Sequence, residues 1–306
     1  MLIPKEANTF FKLHKFGLEQ LSAINIEDAS LEIELMLLAA FNITKNYFLT
    51  NLNEPISDNN LRQEKKLFTK YLNEKVKTQK PVQYILGYVD FNEHRYKITR
   101  GVLIPRPETE ILVNIAYHKI KENAAENAVI LELGSGSGVI SIELALLLNK
   151  TQIFSWDISK RAYLCSIKNA QRFNVMNAKF FHHDFFTDPL VLELIKSHDN
   201  IYIVSNPPYI PTEDILQLQP KVRLFEPKRA LDGGNTGLKY YKKLLFFLLS
   251  LKRFYFKDKK IRVFWEIGIN EDQPLIKFLH RAGISDYCFY SDFSSINRVL
   301  TFAISL

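Results

Sequence analysis

Four consecutive residues, Asn206-Pro207-Pro208-Tyr209, close the apolar run "NIYIVS", which reads as a buried strand. Asn206 offers a side-chain oxygen, and Pro207 offers a main-chain carbonyl held by two ring-locked φ angles. Two acceptors held apart can take both hydrogens of a planar NH₂ group while the ring of Tyr209 stacks on its face. The lone pair of such a nitrogen, on a carbonyl or an aromatic ring, is delocalised and weakly nucleophilic. Fixing its direction is therefore the chemistry this tetrapeptide can supply. The plain structural alternative is a Pro-Pro turn that closes a strand, with Asn as its hydrogen-bonding start.

A second feature lies upstream. The strand-like "AVILEL" runs into Gly134-Ser135-Gly136-Ser137-Gly138 and then a helical pattern. Glycines there let the backbone turn sharply and let a ligand approach main-chain N–H groups. A dinucleotide loop, G-x-G-x-x-G, would need glycine at 139, where this chain has Val139. The G-x-G-x-G spacing, with Glu132 two residues ahead, resembles the first motif of class I S-adenosylmethionine-dependent methyltransferases. At the end of the next strand-like segment, Asp157 is placed to accept both hydroxyls of a ribose. It could instead cap the helix that follows, but Ser159 could do that equally well, and the glycine loop favours the ribose. After the third segment, "FHHDFFTD" offers Asp184 to an adenine amine and Phe185 to the adenine ring face. His182 and His183 read as ordinary strand-end residues, and no metal site is expected.

With that cofactor, the tetrapeptide becomes a clamp that aims an NH₂ nitrogen at the methyl group. "NPPY" is shared by methyltransferases acting on adenine in nucleic acids and on glutamine in proteins. Three further stretches, "PVQYILGYVDF" with "GVLIPRPETEILV", "EPKRALDGGNTGLKYY" and "EIGINEDQ", resemble the HemK/PrmC-type peptide chain release factor glutamine methyltransferases over essentially the full length. The sister enzymes acting on a ribosomal protein resemble "PRSP" where this chain has Arg106-Pro107-Glu108. The resemblance implies S-adenosylmethionine bound by Gly134 to Gly138, Asp157, Phe185 and Asn206. It implies a glutamine held by Asn206, Pro207, Pro208 and Tyr209, with Asn206, Pro207 and Tyr209 as the catalytic set. The implied substrate is the Gly-Gly-Gln glutamine of class 1 release factors. Phe185 stands where the family often has Trp, and "SDFSSINRVL" departs from the family pattern, so no role is carried to Asp292 or Arg298. "EPKRALDGGNTG" reads as a structural loop, with Glu226 a partner for Arg223 or Arg229. The competing function is an adenine-N6 nucleic-acid methyltransferase using the same clamp.

The elements that must position these residues follow from periodicity. Up to residue 80 the pattern is helical: "FFKLHKFGLEQL", "SLEIELMLLAAF" and a long segment from Ser57 that stops before Pro81. "QYILGYVDF" and "HRYKITRGV" read as two strands joined at Asn92-Glu93. A helix starts at Pro107 with acids in its first turn. Beyond 127, strands and helices alternate, which implies a mostly parallel sheet covered on both faces. The last two strands, separated by only "SSI", must pair antiparallel. The expected architecture is α/β: a Rossmann-like methyltransferase sheet over 105–306, a helical substrate-docking bundle over 1–80 and a β-hairpin linker over 81–104.

Bulk properties narrow the setting. No apolar run reaches the roughly 18 residues of a membrane span, and the N-terminus lacks the pattern of a signal peptide. Cys165 and Cys288 are too few for a disulfide framework, so a reducing cytoplasm is expected. The net charge is +7, yet residues 1–80 hold 11 basic and 10 acidic side chains. Nine Lys/Arg against one Asp gather at 239–262, a solvated face or a surface for RNA. A near-neutral N-terminal region and no added target-recognition domain argue against nucleic acid as substrate. A monomer needing no nucleic acid is expected.

Overall fold

The computed structural model describes residues 3–4, 6–24, 26, 28–123, 127–251 and 259–306. In chain order, five helices come first: α1 (Phe10–Ser22), α2 (Ala29–Phe41), α3 (Lys45–Thr50), α4 (Asp58–Thr78) and α5 (Val82–Leu86). The hairpin strands β1 (Tyr88–Phe91) and β2 (His94–Lys97) precede α6 (Glu108–Glu122). Then β3 (Ala128–Leu133), α7 (Val139–Leu147), β4 (Gln152–Trp156), α8 (Lys160–Arg172), β5 (Ala178–Phe181), α9 (Pro189–Ser197) and β6 (Asn200–Ser205) alternate. The short helix α10 (Pro220–Arg223), α11 (Lys239–Leu251), β7 (Lys260–Glu266), α12 (Asp272–Arg281), β8 (Tyr287–Ser291) and β9 (Asn297–Ser305) complete the chain.

Two compact units result, Met1–Tyr88 with Pro220–Phe225, and Val89–Gln219 with Glu226–Leu306. In the first, Thr9 and Thr44 cap α1 and α3 with their hydroxyls. Ser57 occupies the cap position of α4, but its side chain makes no capping bond. Apolar side chains of α1, α2 and α4, among them Leu13, Ile33, Leu37, Phe68 and Leu72, form the core. Within it Lys75 pairs with Glu32 at 2.7 Å, both almost wholly buried. A buried cation unpaired would be costly, and Lys75 also donates to the Lys80 carbonyl. Lys221, in the 220–225 segment, pairs with Asp28 of the same unit.

The expected strand from Gln83 is shorter than its apolar pattern suggests. Residues 82–86 form α5, between Pro81 at its N-cap and Gly87 at φ +81° at its C-cap, and pairing begins only at Tyr88. A helix of five residues is too short to display a 3.6-residue period, so its caps are the informative signal.

In the second unit the sheet order is β5-β4-β3-β6-β7-β9-β8. All neighbouring pairs through β7 are parallel, and β9 runs antiparallel to both β7 and β8. Val129, Leu131, Phe154, Trp156, Ile201 and Ile203 face one core with α9 and α11. Ile130, Ile153, Tyr202, Val204 and Phe264 face the other with α6 and α7. Both faces are buried, so the strands read as apolar runs rather than alternating ones. After β3 the chain winds outward through β4 to β5 and then returns to β6 on β3's other side. The order thus reverses between β3 and β6, the place where open α/β sheets bind ligands beyond their strand ends.

Candidate active site

The loop after β3 turns on three left-handed glycines, Gly134 (φ +87°), Gly136 (φ +55°) and Gly138 (φ +87°). A methyl group at Gly134 or Gly136 would meet no atom within 4 Å, whereas at Gly138 it would lie 2.9 Å from Ser166 Cβ. Gly138 thus serves close packing against α8, and the other two leave open space before the main chain. The amides of Gly134 and Ser135 donate to the Trp156 carbonyl at 2.8 and 3.0 Å. Asn169 Nδ2 donates to the Ser137 carbonyl at 2.8 Å.

Asp157 closes the loop's far side. Its Oδ2 accepts from the Gly136 amide at 2.9 Å and its Oδ1 from the Ser159 amide at 2.7 Å. Ser159, not Asp157, caps α8. Each Asp157 oxygen therefore keeps one lone pair for a hydroxyl. Burial pushes its carboxyl above the usual range, and the two amide bonds oppose this. Two polar atoms beneath the loop are unsatisfied among the described residues, Ser137 Oγ and Glu132 Oε1. Glu132 takes hydroxyls of Ser141 and Ser155 on Oε2, and burial pushes its carboxyl up to about 8. Open space before glycines, spare carboxylate lone pairs and orphaned polar atoms together suit a small polar cofactor.

At the end of β5, Asp184 accepts from the Phe186 amide at 3.0 Å and pairs with Lys243 at 3.3 Å. Phe185 does not fit its expected place on the adenine ring face. It is 1% exposed, with its ring edge-to-face on Trp156 at 5.3 Å and on Phe247 at 5.9 Å. Core packing has claimed it. Of the basic run at 239–262, residues 252–258 lie outside the described residues. Elsewhere in that run, Lys243 pairs as above and Lys259 meets Asp199 at 3.2 Å.

The clamp segment follows β6, directly beside the glycine loop: Ser205 Oγ donates to the Leu133 carbonyl at 2.7 Å. Asn206 is half-buried and Pro207 buried. Asn206 Nδ2 donates to Thr109 Oγ1 at 3.1 Å, and the Thr109 and Asn206 side chains both favour the charged form of the buried Glu266 carboxyl. A carboxylate can only accept, so the NH₂ end of Asn206 faces inward and its oxygen is left for a ligand. Thr109 and Glu266, 2% and 1% exposed, were not among the expected site residues. Both sit inside stretches that carried the family resemblance, "RPETE" and "EIG", and that was their only signal.

Tyr209 is gripped by glycines from two distant segments. A Cβ at Gly233 would come within 2.8 Å of Tyr209 Cα, at Gly237 within 2.5 Å of the Tyr209 carbonyl, and at Gly268 within 2.9 Å of its ring. Ile210 exchanges main-chain bonds with Leu231 and Gly233. Tyr241 donates its hydroxyl to the Glu266 carbonyl at 2.8 Å and Glu271 Oε2 at 3.1 Å, and Glu271 accepts from the Gly268 amide. "DGGNTG" therefore packs against the clamp backbone. Glu226 pairs with Arg106 at 2.6 Å and accepts from the Ile104 amide, a partner different from the expected Arg223 or Arg229. It ties "IPRPE" to the loop that wraps Tyr209.

Residues 12–87 match the family described as PrmC N-terminal domain, and residues 109–223 the family described as methyltransferase small domain. A release factor glutamine methyltransferase of Fusobacterium nucleatum is 31% identical over 284 residues, 93% of this chain and 76% of that one. That of Geobacter sulfurreducens is 31% identical over 90% of this chain and 89% of its own, and that of Synechocystis sp. 35% identical over 74% of each. Among solved structures, the hMettl16 catalytic domain in complex with MAT2A 3'UTR hairpin 6 superposes with a TM-score of 0.51 at 14% identity. It covers 78% of this chain and 81% of its own, a likeness of fold alone. On sequence, this chain belongs to the release factor glutamine methyltransferase family.

Proposed function

We propose that this chain transfers the methyl group of S-adenosylmethionine to the side-chain amide nitrogen of the glutamine in the Gly-Gly-Gln motif of class 1 peptide chain release factors. The observation that carries the reading is the Asn206 amide. Its NH₂ end donates to Thr109 and favours a charged Glu266 carboxyl, so the end left for a substrate is the oxygen, an acceptor. An acceptor pair suits a planar NH₂, and kinship with release factor glutamine methyltransferases favours that of a glutamine over that of an adenine.

When bound, the cofactor supplies a methyl group on a positively charged sulfur. Gly134, Ser135, Gly136, Ser137 and Gly138 would cradle it, Asp157 would take the ribose hydroxyls on its spare lone pairs, and Asp184 would meet the adenine amine. Asn206 Oδ1 and the Pro207 carbonyl accept the two N–H hydrogens, Pro208 keeps the turn rigid, and Tyr209 covers the amide plane. Methyl transfer would exchange the methyl–sulfur bond for a methyl–nitrogen bond, leave a neutral thioether and release one proton to water, so the product would be a secondary amide with a single N–H. It fills only one of the two acceptors, which favours its release over a fresh substrate.

The helical bundle, residues 1–80, would grip the release factor away from the reacting loop and raise the loop's effective concentration at the clamp. Its own core and its match to the PrmC N-terminal domain support that role. In this reading the chain works as a monomer, in the cytoplasm with its substrate, and needs no nucleic acid. Among the described residues no helix is long and apolar enough to cross a membrane. Incubation with methyl-labelled cofactor and either a release factor or DNA tests the proposal. Label on the protein, undiminished by nuclease, is the expected result, and label on DNA adenine would reverse it.

A further inference from the structure

We propose that Glu266 and Thr109 are positioning residues that hold the Asn206 amide with its oxygen turned toward the substrate. The inference rests on the methyl-transfer reading above and adds to it the part that makes the clamp one-handed. An asparagine amide is nearly symmetric in shape, and a half-turn exchanges its oxygen for its NH₂. With NH₂ outward, Asn206 would set donors against the donors of the substrate amide. The tetrapeptide contains nothing that prevents this. What prevents it comes from elsewhere in the chain: Thr109, in the first turn of α6 and 97 residues before Asn206, and Glu266, the last residue of β7.

Three observations support a device rather than incidental packing. Both groups are almost fully buried, so water cannot substitute for them. Thr109 Oγ1 accepts from Asn206 Nδ2 at 3.1 Å, and the Thr109 and Asn206 side chains both favour the charged form of the Glu266 carboxyl, the effect of donors turned toward it. The backbone of Glu266 is anchored separately, through its carbonyl to Tyr241 and through its pairing with Val299. The buried carboxyl is thus free of a role in holding the strand, and its Oε2 has no partner among the described residues.

The charged and titratable groups that face Glu266 are Glu108 on α6, Arg298 on β9, Tyr209 in the clamp and Tyr241 on α11. Burial, with Glu108 adding to it, raises its carboxyl to about 7, against Arg298 and the side chains of Thr109 and Asn206. Protonation places a hydrogen on one oxygen and weakens the acceptor on which Asn206 leans. Turnover should therefore rise with pH through about 7.

The test uses the full chain and an intact release factor. Glu266→Gln keeps the shape but brings an NH₂ that can donate to the Asn206 oxygen and turn the amide round. Turnover should fall about tenfold or more, while KM for the release factor and the cofactor dissociation constant stay within about threefold. The rise in turnover through pH 7 should vanish in the same variant. Thr109→Val should lower turnover in the same way, and Thr109→Ser, which restores the hydroxyl, should recover most of the loss. This pair decides the matter if Glu266→Gln does not fold. Glu266→Gln or Thr109→Val turning over within about threefold of the unaltered chain would overturn the inference. An unaltered chain that fails to methylate the release factor would instead overturn the functional reading.

Discussion

The glycine loop and the Asn-Pro-Pro-Tyr clamp lie side by side at the ends of β3 and β6, and they are built on opposite plans. The loop is held by Asp157, 21 residues from Gly136, and by Asn169, 32 residues from Ser137, and it leaves its working surface as bare backbone. The clamp is held by Gly233 and Gly237 at similar separations and, from farther along the chain, by Thr109 before it and by Glu266, Gly268 and Glu271 after it. A site that works through main-chain groups needs only the right dihedrals, which local sequence can impose. A site that works through one face of an amide needs partners that know which way it points.

The largest effect should come from the clamp. Asn206→Ala should lower turnover by about a hundredfold or more, the scale of losing one preorganised hydrogen-bonding group, with a much smaller loss of cofactor affinity. Single-turnover kinetics beside calorimetric titration would measure both. A comparable loss in cofactor affinity would break the comparison by making the two regions one.

Asp157→Ala should act on the other side. Losing a charge-assisted contact to a ribose costs about 1.5–3 kcal/mol, roughly ten- to a hundredfold in affinity, and the Gly136 and Ser159 amides lose their acceptor too. Titration calorimetry should show this, and unchanged affinity would remove Asp157 from the cofactor's site.

Paired glycine substitutions sharpen the contrast. A methyl at Gly237 would lie 2.5 Å from both Glu271 Oε1 and the Tyr209 carbonyl, at φ +74°, so Gly237→Ala should cost about 1–3 kcal/mol of stability and lower turnover. Gly134→Ala carries the same left-handed strain but no clash, and should weaken cofactor binding more than turnover. Melting curves and titrations of the two variants would check this.

Much of this contrast was legible in the sequence, for the same physical reason. The glycine spacing, the placement of Asp157 and the strand–helix alternation are consecutive patterns set by local backbone needs. Thr109 and Glu266 carry no such pattern, because their meaning arises only when α6 and β7 meet behind Asn206. Phe185 misled because an aromatic after a strand end reads equally as a ligand platform or as core. Only packing against Trp156 and Phe247 decides that. Helix α5 was hidden by its brevity, although Pro81 and Gly87 mark its ends. The 220–225 segment, which joins the helical unit, follows the clamp in sequence and has no local signal of its departure.

The smallest effect concerns the two buried acids, one under each region. Glu132 is raised to about 8 and Glu266 to about 7. Each binds its proton more tightly folded than unfolded. The resulting stabilisation is full below about 4.5, the ordinary value, and is lost as pH rises through 7 to 8. Replacing either with Gln should flatten the fall in melting temperature between about pH 6 and 9, measured by calorimetric scans. An unchanged slope would mean the acids are charged in the folded chain.

The most direct measurement is mass spectrometry of the Gly-Gly-Gln peptide from an intact release factor, after reaction with cofactor and either the unaltered chain or Asn206→Ala, both first shown to bind cofactor. One added methyl on the glutamine is expected with the unaltered chain and almost none with the variant. A methyl found on another residue, or on the glutamine at equal rates with both chains, would contradict it.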